Sequence, residues 1–548
     1  MTLPLKLWGP VLDVLDCHPK YAEIFSRATE ELLLGDGPIP VDVRCYIALM
    51  GASRHACNLQ IRMFKEMYAE CGGNQDWLEG GISKAPKLIQ QLDLINRILA
   101  HQPWAISKTH LKELSRGGGA GKWSLNQLIY AIVILAQAHG LCSLCCGCGI
   151  YKSIAGLDLL TAASQYASLS LNPSEPFSAE GEPWDWPNSE CQSLASSSEQ
   201  SLSTSVPQLN LAIAKNNNNK KDANNASTTA TATIANKTCS GGKQAQVHTD
   251  QCCQKHKNRS NTQLQSSSSS GNSNNSKAAN GSLPMMIIQK LWIHSTGKFW
   301  QANCSNATDS SAVNAWKLNI ASGDACEVDI LLAKMEELNR QKHSSSQEEK
   351  MKHFVDINRE SCKINSHIPR SESAQWTDAR LYSYDLEFVY VDFIKRSDSV
   401  ATPTLKIHDY SWDDEGYGLL ERLCPQIAEF IDDKFAVIKQ LTYHTMGNHK
   451  HVDTTKYRVA IWNYIQSLYG IRHDDYDYAE INHMLSIPMK RFIKTVCCFP
   501  ERVTDTMRNS VMTEFLPSEK IHVNLIIAEA RMQAELLYAL RAIMRFMT

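Results

Sequence analysis

The N-terminal part of the chain carries its apolar residues at the spacing of an α-helix. Along Leu88–Leu99 the apolar positions recur at intervals of three and four, which places them on one helix face. Ser124 and Gln127 have the spacing of a capping box and precede an apolar run, Leu128–Ala138. The alternation of apolar and polar residues that is typical of strands is scarce. Residues from about 10 to 165 are therefore predicted to be helical.

The pattern changes in the middle of the chain. From about Pro173 to Ser282 the residues are mainly Ser, Asn, Thr, Gln and Lys, with runs of Asn at 216–219 and of Ser at 266–270. Such a composition cannot bury enough apolar surface to offset the conformational entropy that is lost on folding. We therefore predict that this segment is disordered.

Helical patterns return after the polar segment. Glu327–Gln341 is predicted to form a short helix, residues 342–375 have the composition of a linker, and folded sequence resumes near Trp376. The residues 411–414 are typical of a helix start. Ile521–Phe546 is predicted to be a long final helix with its apolar residues on one face.

These patterns divide the chain into three parts. Residues 1–170 are predicted to form an N-terminal helical domain, 171–375 a mostly disordered low-complexity linker, and 376–548 a C-terminal helical domain. The length of 548 residues agrees with more than one domain. The predicted fold class is therefore all-α, with two helical domains joined by a long linker.

Charge and cysteine content limit the classes of function. The formal net charge of −2 provides no basic field for nucleic acid or an anionic membrane. The N-terminus lacks the apolar core of a signal peptide, and we see no run that approaches the roughly 20 apolar residues of a membrane span. We expect a cytoplasmic protein whose 18 cysteines are reduced and mostly packed in the core.

A polar and aromatic stretch near the C-terminus offers the groups that bind a free amino acid. Arg458 provides a guanidinium for a carboxylate, and Glu519 provides a carboxylate for an ammonium group. Thr454 lies four residues before Arg458, so the two share one face if the segment is helical. From chemistry alone, an exposed helix end with a surface ion pair is the commoner explanation of such residues.

Cys57 is a candidate for redox chemistry because it follows Arg54 and His55, and a cationic neighbour favours the reactive thiolate. A buried helix thiol is the commoner role for a cysteine without a CxxC partner. A second group consists of Cys142, Cys145, Cys146 and Cys148. Zinc sites usually combine two separated pairs of ligands, and no matched pair is evident here, so we favour packing.

Three further motifs are candidates for ligand or partner binding. Residues 117–122 are rich in glycine, but Arg116 and Trp123 occupy positions that a P-loop reserves for Gly and Ser or Thr. His449 and His451 are typical of a solvated polar loop rather than of a metal site. We therefore predict no metal and no cofactor. The acidic run 474–478 is either a capped turn or a docking surface with tyrosine as the anchor.

The chain resembles the sestrin family over a little more than half of its length. In the C-terminal part the resemblance rests on Tyr410–Trp412, Leu441–Tyr443, Ala460–Tyr464, Gly470–Arg472, Asp474–Tyr478, Glu519–Lys520, His522–Leu525, Glu529–Ala534 and Leu537–Ile543. In the N-terminal part it rests on His18–Pro19, Gly37–Pro38, Arg54–Cys57, Ala100–Trp104 and Gly147–Ile150.

The resemblance implies a fold and a function. Sestrins have two helical halves of the alkylhydroperoxidase D type that pack against each other. They are stress-induced leucine sensors that restrain TOR kinase signalling through GATOR-type complexes, and leucine releases them from this partner. AMP-activated kinase is a further partner that the family implies.

The resemblance also implies roles for individual residues. Arg458 would hold the carboxylate of L-leucine and Glu519 its ammonium group. A lid over the ligand, with His522 nearby, would be closed by Thr442, Tyr443, Thr445 and Thr454. The family has a tryptophan in the pocket where this chain has Met512, a flexible side chain that fixes the shape of an apolar pocket less tightly. The docking surface for the GATOR-type partner would be formed by Asp474, Asp475 and Tyr476.

The same resemblance bears on the alternative function, a thiol-dependent hydroperoxide reductase that uses Cys57. The family pattern has a tyrosine and a histidine that relay protons at the positions of Leu59 and Phe64. Neither of these apolar side chains can move a proton. The departure argues against peroxidase activity in this chain.

Overall fold

The computed structural model of the protein describes residues 5–115, 122–150, 317, 320, 325–340, 345–369, 378–395 and 404–548. In these ranges the fold is all-α. The helices of the N-terminal part are α1 (Leu5–Leu15), α2 (Pro19–Leu34), α3 (Val41–Ser53), α4 (Asn58–Glu70), α5 (Gln75–Gly80), α6 (Lys87–His101), α7 (Lys108–Ser115) and α8 (Leu125–Cys148).

The helices of the C-terminal part are α9 (Glu327–Arg340), α10 (Gln347–Ile364), α11 (Ala379–Tyr382), α12 (Tyr417–Leu423), α13 (Pro425–Gln440), α14 (Thr455–Leu468), α15 (Ala479–Met484), α16 (Ile487–Cys498), α17 (Asp505–Asn509) and α18 (Pro517–Met547). Short 3-10 turns occur at Gly81–Ser83, Pro103–Ala105, Asn365–His367, Phe393–Lys395 and Pro500–Arg502, and a π-helical turn at Trp412–Gly416.

Four two-residue strands complete the described structure. The strands β1 (Leu405–Lys406) and β4 (Ile471–Arg472) are parallel, with Leu405 opposite Ile471. The strands β2 (Thr445–Met446) and β3 (His449–Lys450) form an antiparallel hairpin, with Thr445 opposite Lys450. This hairpin later forms part of the candidate site.

Local capping signals explain several helix starts. Ser124 and Gln127 form the predicted capping box, with the Gln127 amide N–H donating to Ser124 Oγ at 3.2 Å. Ser411 caps the turn at 412–416 by accepting a hydrogen bond from the Asp414 amide at 3.0 Å. Both predicted starts are confirmed, since these side chains accept from amides that the helix leaves unpaired.

The helix α8 lies in the core and packs along α18. Added Cβ atoms at Gly140 and Gly147 would come within 3.0 Å of the Ala528 carbonyl and 2.1 Å of Asn524 Oδ1. The lack of a side chain at these two positions therefore allows the close approach of the helices. By length and composition, α8 could cross a membrane, so the expectation that no such run exists is wrong. Its apolar window is entirely buried inside the protein, as in the core helix of a globular fold.

The final helix differs from its prediction in two ways. It begins at Pro517, four residues before the predicted start, because proline is well suited to the first turn of a helix. From His522 to Leu540 every residue is buried, so the predicted single apolar face is wrong. Several of its charged side chains are paired inside the protein. Glu529, for example, lies 3.1 Å from Lys434 Nζ and accepts from the Tyr21 hydroxyl at 2.5 Å.

The segment predicted as linker after residue 341 contains a helix. The predicted helix at 327–341 is confirmed as α9, but α10 then covers Gln347–Ile364, within the range predicted as linker. Ser346 and Glu349 form a capping box for α10, and Phe354 packs edge-on against Tyr478 with ring centroids 5.0 Å apart. The few apolar residues of α10 are enough to hold the helix in place because they pack against a surface that includes Tyr478. The predicted disordered segment at 173–282 and the glycine-rich residues 117–121 lie outside the described residues.

Candidate ligand-binding site

A small cavity of about 40 Å³ lies where the β2–β3 hairpin meets the first turns of α14 and α18. It is bounded by polar residues on one side and by apolar residues on the other. The lining residues are His18, Thr442, Tyr443, Thr445, Met446, Thr454, Tyr457, Arg458, Phe515, Glu519, His522, Val523 and Ile526. Seven residues predicted from the sequence, all between positions 442 and 522, thus lie around one cavity, and His18 joins them from the N-terminal part of the chain.

Arg458 enters the cavity from the first turn of α14. Its Nε donates to Thr454 Oγ1 at 3.1 Å, as the spacing of four residues predicts for a helix. Its other nitrogens donate to the Lys439 carbonyl at 2.5 Å and to Thr455 Oγ1 at 3.1 Å. All these acceptors are neutral oxygens. Burial lowers the pKa of Arg458, because it removes water from the charged group.

Glu519 lies in the first turn of α18 and holds the hairpin. Its Oε1 accepts from Thr445 Oγ1 at 2.9 Å, and its Oε2 accepts from the Gly447 amide at 2.9 Å and the Leu516 amide at 3.0 Å. Within the described ranges, no salt bridge joins Glu519 to Arg458. The cavity therefore has one cationic and one anionic side chain that are not paired with each other.

We use the term lid for residues 442–454, which contain the hairpin. His444, Gly447 and His451 have positive φ angles of 54°, 57° and 62°, which bend the segment over the cavity. At Gly447 an added Cβ would approach the Glu514 carbonyl to 2.8 Å, so only glycine fits there. His449 was expected to be solvated, yet its Nε2 lies 2.9 Å from Asp329 Oδ1 on α9. The lid is thus fastened at both α9 and α18.

His18 adds a contact from the N-terminal part that the sequence analysis did not include in the site. Its Nε2 donates to the Ser518 carbonyl at 2.8 Å, so Nδ1 of the neutral ring accepts from the Tyr443 hydroxyl at 3.3 Å. Burial lowers the pKa of His18, and burial beside His18 and Arg458 lowers the pKa of His522 to about 3. Both rings are therefore neutral at pH 7, which leaves Arg458 and Glu519 as the charged side chains of the cavity.

The apolar wall of the cavity consists of residues that the sequence analysis did not assign to the site, although it predicted the final helix that carries two of them. It is formed by Met446, Tyr457, Phe515, Val523 and Ile526. Tyr457 and Phe515 meet edge to face with ring centroids 5.8 Å apart. Met512 does not line the cavity. It is 3% exposed and has a positive φ of 54°, and its carbonyl accepts from the Phe515 amide at 3.1 Å, so it shapes the turn that presents Phe515.

Cys57 does not line this cavity and lies at the N-cap of α4. It is 1% exposed, and Leu59 and Phe64 are also buried in the core. The relay positions are therefore apolar and sealed from water. In the part of the chain that the structure describes, no group of three or more His, Cys, Asp or Glu side chains is arranged to hold a metal ion.

The acidic loop, residues 474–478, follows β4 and packs against α10. Asp474 forms a salt bridge with the buried Arg472, and Lys350 Nζ donates to the carbonyls of Asp474 and Asp475 at 3.3 and 3.0 Å. His353 Nδ1 lies 2.7 Å from Asp477 Oδ1. Asp475 is the exposed member.

The tyrosines of the acidic loop point into the protein. The Tyr476 hydroxyl is buried and has no hydrogen-bond partner among the described residues, and its ring lies 5.2 Å from that of Tyr478, edge to face. Tyr478 is fully buried, and its hydroxyl accepts from the His473 amide at 2.9 Å. The loop is therefore a packed element with one exposed carboxylate, rather than a wholly solvated turn.

The chain is similar to known proteins over almost its whole length. A family model described as PA26 p53-induced protein (sestrin) matches residues 8–280 and 263–547. A Sestrin homolog of Drosophila melanogaster is 32% identical over 546 residues, covering 98% of this chain and 92% of that protein. Sestrin-1 of Mus musculus is 33% identical over 540 residues, and Sestrin-2 of Homo sapiens is 31% identical over 538, covering 82% and 83% of those proteins.

Proposed function

Because this chain belongs to the sestrin family, we propose that it is a cytoplasmic leucine sensor that restrains TOR kinase signalling under stress. In this proposal it binds a GATOR-type complex, and leucine releases it. The observation that carries the proposal is the pair of unpaired opposite charges, Arg458 and Glu519, in one cavity with an apolar wall.

These groups match the chemistry of a free aliphatic amino acid. A guanidinium binds a carboxylate through two parallel N–H donors, and a carboxylate accepts from an ammonium group. Arg458 now donates only to neutral oxygens, which a carboxylate can replace with a charge-assisted bond. The wall of Met446, Phe515, Val523 and Ile526 would receive an aliphatic side chain.

The size of the cavity links binding to a change of state. A volume of about 40 Å³ admits one or a few water molecules. A leucine molecule is larger than this enclosed space, so we expect the lid to shift when leucine binds. The ligand would compete for the Glu519 oxygens that now hold Thr445 and Gly447 of the lid. A ligand that binds one lid arrangement better than the other shifts the population between them.

The acidic loop is the surface that we propose for the partner. The Asp475 carboxylate is exposed, and charged groups at the rim of an interface mainly affect partner choice and association rate. Because Lys350 and His353 of α10 contact the same loop, the proposed docking surface includes this helix. Tyr476 supports the loop because its ring packs against that of Tyr478 inside the protein.

Hydroperoxide reduction is the weaker alternative. Cys57, Leu59 and Phe64 are all buried, and the two apolar residues stand where the family pattern has its proton relay. No specific contact favours catalytic turnover at this position.

Calorimetric titration of the full-length protein with leucine, isoleucine, valine and methionine tests the proposal. Leucine should bind, and Arg458→Ala or Glu519→Ala should abolish detectable binding. Truncating one member of a buried charged contact typically costs roughly 2–5 kcal/mol, and each 1.4 kcal/mol is about a tenfold change in Kd.

Matched variants distinguish the loss of a cavity charge from a general loss of folding. Lys456→Ala removes a cation from the same helix whose partner is Glu480 rather than the cavity, so it should leave leucine binding intact. Glu519→Gln keeps one acceptor oxygen for the lid but loses the second acceptor and the charge, and we expect it to bind leucine much more weakly than the wild type. Unchanged leucine affinity in both alanine variants would refute the assignment.

A further inference from the structure

One segment of the chain contacts both the lid and the acidic loop. We use the term strap for residues 326–340 and 345–364, which contain α9 and α10 and are joined by residues 341–344. The first helix of the strap contacts the lid, and the second contacts the acidic loop. No described residue of the strap lines the cavity. The strap therefore joins the two candidate sites without belonging to the ligand-binding surface.

The start of α9 holds the lid from outside the cavity. His449 Nε2 in the lid lies 2.9 Å from Asp329 Oδ1, and the Asp329 side chain is only 2% exposed. The neighbouring Val328 is buried, and its amide donates to Glu514 Oε2 at 3.2 Å. Its Cγ2 would lie 3.6 Å from a Cβ added at Gly447, so it also faces the turn of the lid hairpin. A shift of this hairpin would therefore disturb the contacts of α9.

The acidic loop is held by the other helix of the strap. Ser345 Oγ donates to Asp477 Oδ2 at 2.5 Å, and His353 Nδ1 lies 2.7 Å from Asp477 Oδ1. Both carboxylate oxygens of Asp477 thus contact the strap. Phe354 of α10 packs edge-on against Tyr478, with ring centroids 5.0 Å apart. The arrangement of the loop therefore depends on where α10 lies.

The helix α15 provides a second connection between the two ends of the strap. It directly follows the acidic loop and packs against both α9 and α10. Packed elements of a protein interior have few voids into which they can relax, so a displacement of one is passed to its neighbours. A movement of α9 can therefore reach the acidic loop through α15 as well as along the chain through α10.

The helix α14 also joins the cavity to the loop region, but it is less suited to move. All its residues from Ala460 to Leu468 are buried, so the surrounding core fixes its position. The strap is more exposed, since both α9 and α10 present a solvent-facing side. Elements with fewer buried contacts shift at a lower cost in free energy. The strap is therefore the better route for a change of arrangement.

We propose that the strap couples the lid to the acidic loop, so that a ligand in the cavity changes the surface offered to the partner. This inference rests on the function proposed above. Leucine competes for the Glu519 oxygens that hold Thr445 and Gly447, the hairpin shifts, and His449 moves away from Asp329. The strap then loosens its hold on the loop. Because coupling is reciprocal, the bound partner weakens leucine binding by the same factor.

Hydrogen–deuterium exchange of the full-length protein tests the coupling without leucine or partner. His449→Ala removes the contact between the lid and the strap. We expect amides of residues 474–484 to exchange roughly fivefold faster, the factor that corresponds to a loss of about 1 kcal/mol. The matched control is His451→Asn, because His451 is an exposed histidine of the same lid and asparagine tolerates its positive φ of 62°. This control should leave exchange at 474–484 unchanged.

A second arm adds leucine to the same proteins. In the wild type, leucine should change exchange in the lid and also at 474–484. In His449→Ala it should still change exchange in the lid, but its effect at 474–484 should be lost. Release of a GATOR-type complex by leucine in a pull-down should be lost in the same variant. Unchanged exchange in the core helix α8 shows that the variant is folded.

Two outcomes would overturn the coupling. One is that His449→Ala and His451→Asn give the same exchange at 474–484 as the wild type. The other is that leucine changes exchange at 474–484 equally in His449→Ala and the wild type, which would mean that the signal takes another route. If leucine changes exchange in neither region of the wild type, the proposed function fails instead. The comparison of the two variants without leucine still decides whether the strap couples the lid to the loop.

Discussion

The ligand cavity and the acidic loop lie at opposite ends of α14, and their charges are arranged in opposite ways. In the cavity, Arg458 donates to neutral oxygens, and no salt bridge joins it to Glu519 among the described residues. In the loop region, the buried Arg472 is paired with Asp474. Two arginines near the ends of one helix thus differ in whether a carboxylate already satisfies them.

This difference in pairing distinguishes charged residues that are available to bind a ligand from charged residues that stabilise the fold. Arg458 is half-buried, and Asp453 acts on it electrostatically without a salt bridge among the described residues, so a ligand carboxylate in direct contact would stabilise its charge further. A buried charge that already has its partner gains nothing from a ligand. From this comparison we expect the cavity charges to determine ligand binding. Asp474 should mainly determine stability, and the exposed Asp475 should affect partner choice.

The largest predicted effect in the acidic loop is loss of the partner. Asp475→Ala should prevent capture of a GATOR-type complex in a pull-down, and Asp474→Ala or Tyr476→Ala should weaken it because they loosen the loop that presents Asp475. Leucine binding by Asp475→Ala should stay close to wild type, because this side chain is exposed and outside the cavity. If all three variants still capture the complex, the docking surface lies elsewhere on the protein.

Stability measurements on the same variants sharpen the comparison. Asp474→Ala leaves Arg472 buried without its carboxylate, so we expect the free energy of unfolding to fall by about 1–3 kcal/mol. The neighbouring Asp475→Ala should change it by less than about 0.5 kcal/mol, as is usual at exposed positions. Denaturant unfolding measures both. Equal losses would mean that the salt bridge does not distinguish the two residues.

A smaller effect is predicted at Met512, next to the cavity wall. Tryptophan there would overfill a buried site that already has a positive φ, which typically costs about 1–3 kcal/mol of stability. Because Met512 does not line the cavity, leucine affinity should change much less than in Arg458→Ala. Thermal unfolding and calorimetry of Met512→Trp, with Met512→Leu as the conservative control, check this. Clearly tighter leucine binding would show that position 512 joins the wall when the ligand is bound.

The smallest effect is predicted for a deletion. Residues 175–280, which lie outside the described residues, have a composition that cannot form a core. Deleting them should leave Tm and leucine binding almost unchanged, because the entropy of closing a loop depends only weakly on its length. A large fall in Tm would show that part of this segment packs against the regions compared here.

Much of the local structure could be predicted from the sequence. The capping box at Ser124, the helix start at Ser411 and the shared face of Thr454 and Arg458 are set by hydrogen bonds between residues three or four apart. The helix α10 was missed because its polar surface resembles a linker, and its few apolar residues become effective only against a partner surface such as Tyr478.

The sequence by itself determined the helical class, most of the helices, and the cavity residues that the family resemblance pointed to. Only the tertiary structure decided that His18 contacts Ser518, that α18 is buried on all sides from His522 to Leu540, and that Cys57 is sealed in the core. The physical reason is the range of the forces involved. Helix formation depends on neighbours within one turn, whereas burial and pairing depend on which distant segments pack together.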